Sequence, residues 1–366
     1  MTRYYAPEFR VKVNGSELEA DISKNIQQIA VTKSISSIED TCSMTISNPT
    51  PDMRWTHTDD AHLFWIGGEV QIDMGYVGDL TEGMMVGKIT AVKASFPASG
   101  VPTLTVTCTG HGQKLNGCQK TRTHTGKTDK QIAEQIGQDI GLQVQADETD
   151  IVHDYMIQPN QTDLQFLRAR AELLHYELFV KDKTLFFRKP KEDEENVYTF
   201  VWSSTRAFTA AGSQTLPLKS FVPNADALNE QYTQTEIRAY DAKTKKVIIG
   251  QASNQEENPM GGTQTGSKLR EQALGSCKKT QASKPVASKP EADHGARSGQ
   301  NKSAQKFVTG NAQTIGVPDL GPGVVVFLDG VGLFSGKYYV TSVTHTIGGN
   351  GYTTDFEVRR NSTNAK

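Results

Sequence analysis

Cys108, His111, Cys118 and His124 lie in one short stretch and carry the sulfur and nitrogen atoms that bind zinc. A zinc site needs about four such ligands in tetrahedral reach. The gaps here match none of the usual paired spacings, so the stretch reads as a buried strand cysteine followed by polar loop histidines. His57 and His62 stand beside Asp59 and Asp60. No helical period gathers them on one face, and they read as a solvated loop. His345 shares its strand face with Tyr339 and Val343, the placement of a packed or hydrogen-bonded histidine rather than a general base. Gly110-His111-Gly112 lacks the Lys-Ser/Thr ending of a phosphate loop. No Gly-x-Ser-x-Gly elbow and no His-Glu-x-x-His motif occurs. The expectation is therefore a chain without cofactor or metal, and not an enzyme.

The elements that would position these residues are mostly strands. The chain has 366 residues, enough for two or three units. A net charge of −2 gives no electrostatic footprint for nucleic acid, so no direct nucleic-acid readout is expected. Cys42, Cys108, Cys118 and Cys277 form no disulfide framework. The opening residues lack an apolar core of signal-peptide length, and no apolar run is long enough to span a bilayer. Synthesis in the bacterial cytoplasm is the expectation.

Phe9, Val11 and Val13 alternate with polar residues and reach Asn14-Gly15, a hairpin signal. Cys42/Met44/Ile46, Val70/Ile72/Met74/Tyr76 and Leu104/Val106/Cys108 alternate likewise, and Val86/Lys88/Thr90/Val92/Ala94 do so less cleanly. The spacing predicts an antiparallel barrel over 1–118. The period then changes. Thr128-Asp129-Lys130-Gln131 and Thr162-Asp163-Leu164-Gln165 have the form of capping boxes, each opening a short helix. Ile132, Ile136 and Ile140 stripe the first helix. Leu164, Leu167, Ala171 and Leu174, with Phe166, stripe the second. With a hairpin across Lys181–Thr184 they make an α/β unit over 119–190. Residues 191–196 read as a solvated charged loop. Strands return over 197–250 and 307–361, read together as a second barrel spanning 191–250 plus 307–366. Between them, 251–306 is poor in large apolar residues and reads as a polar extended or disordered insertion, with a short helix near Lys268–Leu274. The fold class is mainly β with a small α/β unit and two β-barrel domains.

The last segment carries a family likeness. Gly316, Pro318, Pro322 and Gly323 form a turn. Gly336, Tyr338, Tyr339, Val340 and His345 lie in Phe334–His345, and Tyr352 and Phe356 in Tyr352–Asn361. This pattern resembles phage late control protein D, the baseplate hub of contractile tails. Asp163, Phe166, Leu167, Arg168 and Ala171 match its helix, with Arg170 shifted by one position. The likeness is weaker in the first 110 residues, where Gly87–Thr90 fits. The family's helix leading into Phe307-Val308-Thr309-Gly310 is not expected here, because Ala292–Lys306 is rich in Gly, Ser, Asn and Lys.

The resemblance implies two tail-tube-like β-barrels per chain and a homotrimeric ring adapting a sixfold tube to a threefold spike. The implied partners are the tail tube protein above, a separate spike protein below, and baseplate wedge or LysM-type adaptor proteins. It implies a place in the baseplate of a virion tail or injection particle. The related type VI secretion spike proteins continue past the hub into a spike, and this chain stops soon after the signature. A cell-wall hydrolase is the enzymatic alternative, and no catalytic constellation supports it.

Overall fold

The computed structural model describes residues 6–47, 63–202, 215–228, 230–241, 244–282 and 286–364. His57, His62, Asp59 and Asp60 lie outside them. The first strands are β1 (Pro7–Val13), β2 (Ser16–Glu17), β3 (Ile26–Ser34), β4 (Thr41–Ser47), β5 (Glu69–Tyr76), β6 (Asp79–Ser95) and β7 (Thr103–Thr109). They pair antiparallel in the order β2-β1-β5-β6-β7-β4-β3. Asn14 and Gly15 both take positive φ, as the tight turn between β1 and β2 requires. The alternating Val11, Val13, Cys42, Met44, Ile46, Val70, Ile72, Met74, Leu104, Val106 and Cys108 all face one core. In β6 the inward residues are Met85 and Ile89, not Val86, Lys88 and Thr90. A bulge between Ile89 and Ala91 then shifts the register, which brings Val92 to the core side.

The α/β unit forms as its pattern dictates. Its elements are β8 (Lys120–His124), β9 (Lys127–Thr128), α1 (Asp129–Asp139), β10 (Gln143–Ala146), β11 (Val152–His153), β12 (Met156–Gln161), α2 (Asp163–Leu174), β13 (Glu177–Lys181) and β14 (Thr184–Arg188). Both capping boxes are complete, with Thr128 and Thr162 each exchanging side-chain and main-chain bonds with the glutamine three residues on. On α2 the stripe of Leu164, Leu167, Ala171 and Leu174 faces one core, and Leu173 turns to a separate one with Ile237 and Ala296. His175 ends the helix in the left-handed region.

The remaining strands are β15 (Tyr198–Val201), β16 (Thr215–Ala225), β17 (Gln234–Asp241), β18 (Lys246–Ser253), β19 (Gln264–Thr265), β20 (Lys278–Gln281), β21 (Val308–Ile315), β22 (Val325–Asp329), β23 (Gly336–Gly348), β24 (Gly351–Arg360) and β25 (Ser362–Thr363). Among them β23-β22-β15-β16-β21-β24 closes on itself through β23–β24, a barrel of six strands. The protein is mainly β, as expected. Among the described residues, this second barrel is the one that closes. Among the described residues the first sheet has no pairing that joins β1 back to β3. Its β3 edge instead pairs with β23, from Ser342↔Ser34 to Gly348↔Gln28, and merges both units into one 13-stranded sheet.

The expected extent of the second barrel needs correction. β17 and β18 are not in it; with β20 they form a separate three-stranded sheet. Residues 251–306 are not an extended insertion either. They include α3 (Gly266–Leu274) and the 16-residue α4 (Lys289–Ala304), so the helix before Val308 is present. Ser288 caps α4 by accepting a hydrogen bond from the Glu291 amide, and Pro290 sits in its first turn. Apolar area is not what holds this helix. Ala292, Gly295 and Ala296 form a narrow face that lets α4 approach β17 and β18 closely. Buried polar atoms are then paired: Gln300 Nε2 donates to the Tyr232 carbonyl (2.6 Å) and to Glu257 (2.7 Å), and Thr235 Oγ1 donates to Gln300 Oε1 (2.8 Å). A side chain at Gly250 would sit 2.1 Å from the Ala292 carbonyl carbon. Gly250→Ala will therefore push α4 off the sheet and cost about 1–3 kcal/mol, read as a lower urea midpoint. An unchanged midpoint would mean that the contact is looser than this.

Candidate functional site

The residues of the terminal sequence pattern gather along β23 and its neighbours, where the first sheet, the α/β unit and the closed barrel meet. The Gly316–Gly323 turn lies across the end of the barrel. A Cβ on Gly316 would stand 2.1 Å from the Tyr352 ring, so only glycine lets the turn lie flat on that tyrosine. The Gly316 amide donates to the Tyr352 carbonyl (3.0 Å), and Tyr76 Oη, from β5, donates to the Gly316 carbonyl (2.8 Å). Gly323 takes φ +79° and donates to the Val340 carbonyl at 2.8 Å. Pro318 and Pro322 line a cavity of about 270 Å³ with Lys33 and Asp40 of the first sheet and Lys181 and Asp182 of the α/β hairpin.

His345 is fully buried beneath this turn. Its Nε2 lies 3.0 Å from the Leu320 carbonyl and its Nδ1 3.0 Å from Tyr352 Oη. The carbonyl accepts only, so Nε2 carries the proton and Nδ1 accepts from Tyr352. Burial, and then the charge of Lys33, pushes the imidazole pKa down to about 3. The ring is a neutral structural tie, not a proton shuttle. Tyr338 and Tyr339 are buried neighbours on β23, and Tyr339 reaches the α/β unit. Tyr339 Oη donates to Glu177 of β13 (2.7 Å), whose other oxygen accepts from Arg188 (3.2 Å). Burial raises the Glu177 pKa, and these two donors offset part of the rise. Tyr338 Oη donates to the Phe334 carbonyl (2.7 Å), and the Arg360 guanidinium lies over its ring at 4.6 Å. Arg360 also donates to the Ser335 and Leu333 carbonyls, which fixes the turn before Gly336. Val340 and Phe356 fill the barrel core, with Phe356 against Phe200.

Tyr339→Phe keeps the packing and leaves a Glu177 oxygen without its donor. A loss of roughly 1–2 kcal/mol is expected, measured by denaturant titration. A neutral result would mean water replaces the phenol.

The helix residues of the signature serve the α/β unit. Asp163 accepts from Lys120 (2.5 Å) and Gln158 (3.0 Å), and Leu167 and Phe166 are core. His124 is no loop residue: it is buried in β8 and stacked on Phe166. Cys108 is buried in β7 and Cys118 exposed, and among the described residues no group of three or more His, Cys, Asp or Glu is placed to hold a metal. The 191–196 loop is not wholly solvated, because Glu192 accepts from Gln305 (2.7 Å) and Arg359 (3.1 Å).

A second buried centre escaped the sequence reading. Arg170 of α2 holds Asp129 through Nε (2.6 Å) and Nη2 (3.1 Å), and Glu291 of α4 through Nη1 (2.8 Å). His153 Nε2 adds a contact to Asp129 at 2.9 Å. Arg170 thus pins α4 to the α/β unit.

The fold is that of solved phage tail proteins. The 43 kDa tail protein of prophage MuSo2 from Shewanella oneidensis superposes with a TM-score of 0.73 at 12% identity, over 97% of this chain and 98% of that one. The tail protein of Neisseria meningitidis MC58 gives 0.71 at 14% identity, over 97% of each chain. The Escherichia coli c3393 protein is described as a type VI secretion component similar to T4 tail proteins gp27 and gp5. It gives 0.54 at 10% identity, over 96% of this chain and 77% of that one. The chain itself belongs to the family described as the Alg8 N-terminal domain, whose model matches residues 5–349. No curated protein sequence matches it significantly.

Proposed function

We propose that this chain is the structural baseplate hub of a contractile phage tail or injection particle, akin to late control protein D, and that it works without catalysis. Three copies close a ring, so that two β units per chain occupy the positions of a sixfold tube above a threefold spike. The observation that carries this reading is the β3–β23 pairing, which runs one sheet through both β units of a single chain. Such a joint transmits load through main-chain hydrogen bonds, and the same chemistry at strand edges serves between copies. The tail tube protein, a separate spike protein and wedge or LysM-type adaptor proteins are the partners in this reading. Its location is the particle's baseplate. The likeness to c3393 favours a type VI-like spike hub as the second reading. Light scattering of the purified chain and imaging of the parent particle test the proposal. The expected result is three copies in a ring above the spike. A lone protomer without threefold density, or hydrolysis of cell wall by the pure chain, would overturn it.

A further inference from the structure

Strands β4 and β7 lie side by side in the interior of the first sheet, and their register sets Cys42 directly opposite Cys108. Val31 of β3 stands opposite Cys42, and Ile89 of β6 opposite Cys108. One row across four strands therefore holds two thiols between two aliphatic side chains, all in the same core. Cys42 is 2% exposed and Cys108 1%, and both are free thiols. One step beyond the paired residues, the Gly110 amide donates to the Asp40 carbonyl at 2.9 Å. That bond makes Asp40 and Gly110 a hydrogen-bonded pair, and the two-residue alternation of an antiparallel ladder makes Cys42 and Cys108 another. The Cα atoms of such a pair stand about 5.5 Å apart, inside the range of about 4.4–6.8 Å that a disulfide spans. The two thiols hydrogen-bond each other, and this contact together with burial raises the Cys42 pKa. A buried, protonated thiol reacts slowly, so any oxidation waits on local opening of the sheet.

We propose that Cys42 and Cys108 are the site of a latent cross-strand disulfide, which closes when the chain meets a small two-electron oxidant of the peroxide class and locks β4 to β7. Opening of the strand pair frees one thiol, whose thiolate attacks a hydrogen peroxide oxygen. The O–O bond breaks, one water leaves and a sulfenic acid remains. The opposite sulfur then attacks the sulfenic sulfur, the S–S bond forms, and a second water carries off the hydroxyl and the last thiol proton. Each sulfur loses one electron, and both peroxide oxygens end as water. The product carries no charge and suits the apolar core that holds it. It also closes a long loop of the unfolded chain, which opposes separation of the two strands.

The test uses the full chain carrying Cys118→Ser and Cys277→Ser, which leaves the two core thiols alone, with the unaltered chain beside it. After long exposure to dilute hydrogen peroxide the intact mass of the variant should fall by two hydrogen atoms. The denatured variant should no longer react with N-ethylmaleimide, and a digest of either protein should yield the Cys42 and Cys108 peptides joined. Dithiothreitol should reverse these changes. Urea below the unfolding transition should speed the linkage about tenfold or more, because it raises the open population. Amide exchange in β4 and β7 should be slower in the oxidised chain than in the reduced one. Two thiols still alkylated after denaturation, oxygen added to each cysteine without linkage, or disulfides only between copies would overturn the proposal. So would linkage with unchanged exchange, because the bond would then lock nothing. Mass and exchange read these two strands directly and do not depend on the hub reading.

Discussion

Arg170→Met will remove about 3–5 kcal/mol of folding stability. Arg170, Asp129 and Glu291 are all at least nine-tenths buried and face one another at 2.6–3.1 Å. Methionine preserves most of the volume but leaves two carboxylates in a low-dielectric site without their cation. Burial alone would raise the Asp129 pKa. Hydrogen bonds from His153 and Arg170 outweigh it and hold the carboxyl below its usual range. A carboxylate with a depressed folded pKa contributes stability above about pH 4 that is lost as the pH falls through the folded value. In the variant this contribution disappears and α4 loses its ionic tie to α2, while the Ser298–Glu172 bond remains. Urea unfolding at neutral pH checks the prediction, with Asp129→Asn/Arg170→Met/Glu291→Gln recovering part of the loss because no charge is then stranded. A loss below about 1 kcal/mol, the range of exposed ion pairs, would show that water reaches the cluster.

Acid will weaken the fold through His345 well before most carboxylates titrate. The ordinary imidazole value is 6.5 and the folded value about 3. The unfolded chain therefore binds the proton more tightly. Stability is complete above about pH 6.5 and falls as the pH drops toward the folded value. At about 1.4 kcal/mol per pKa unit, the loss between pH 7 and pH 4 from this residue is about 3 kcal/mol. His175 adds to the same limb, its pKa pushed down to about 4 by burial and by Arg359 and Lys302. His345→Gln retains a donor and an acceptor but has no proton to gain. Its stability should fall less steeply over this range, whatever its value at pH 7. Parallel curves for the two proteins would mean that His345 is not held neutral in the fold.

The local signals were legible wherever one residue's neighbours in sequence are also its neighbours in space. The alternation of Cys42/Met44/Ile46 and Leu104/Val106/Cys108 reports one buried face, because a strand has period two. The Thr128 and Thr162 capping boxes lie within single turns. The errors fell where a partner from elsewhere decides. Helix α4 has few large apolar residues, so composition argues against it. It forms because Gly250 and Gly295 permit close approach and Glu257, Thr235 and Arg170 satisfy its buried polar groups. β17 and β18 have ordinary strand patterns that do not name the sheet they join.

The amino-acid order by itself determined the strand and helix periods, the turns at Asn14-Gly15 and Gly316–Gly323, and the terminal signature. Only the tertiary structure decided that six strands close one barrel and that the first sheet joins it through β3 and β23. It also decided that Tyr339 and Arg170 tie separate units together. Hydrophobic periodicity records which face of an element is buried. It does not record which edge or which distant charge that element will meet.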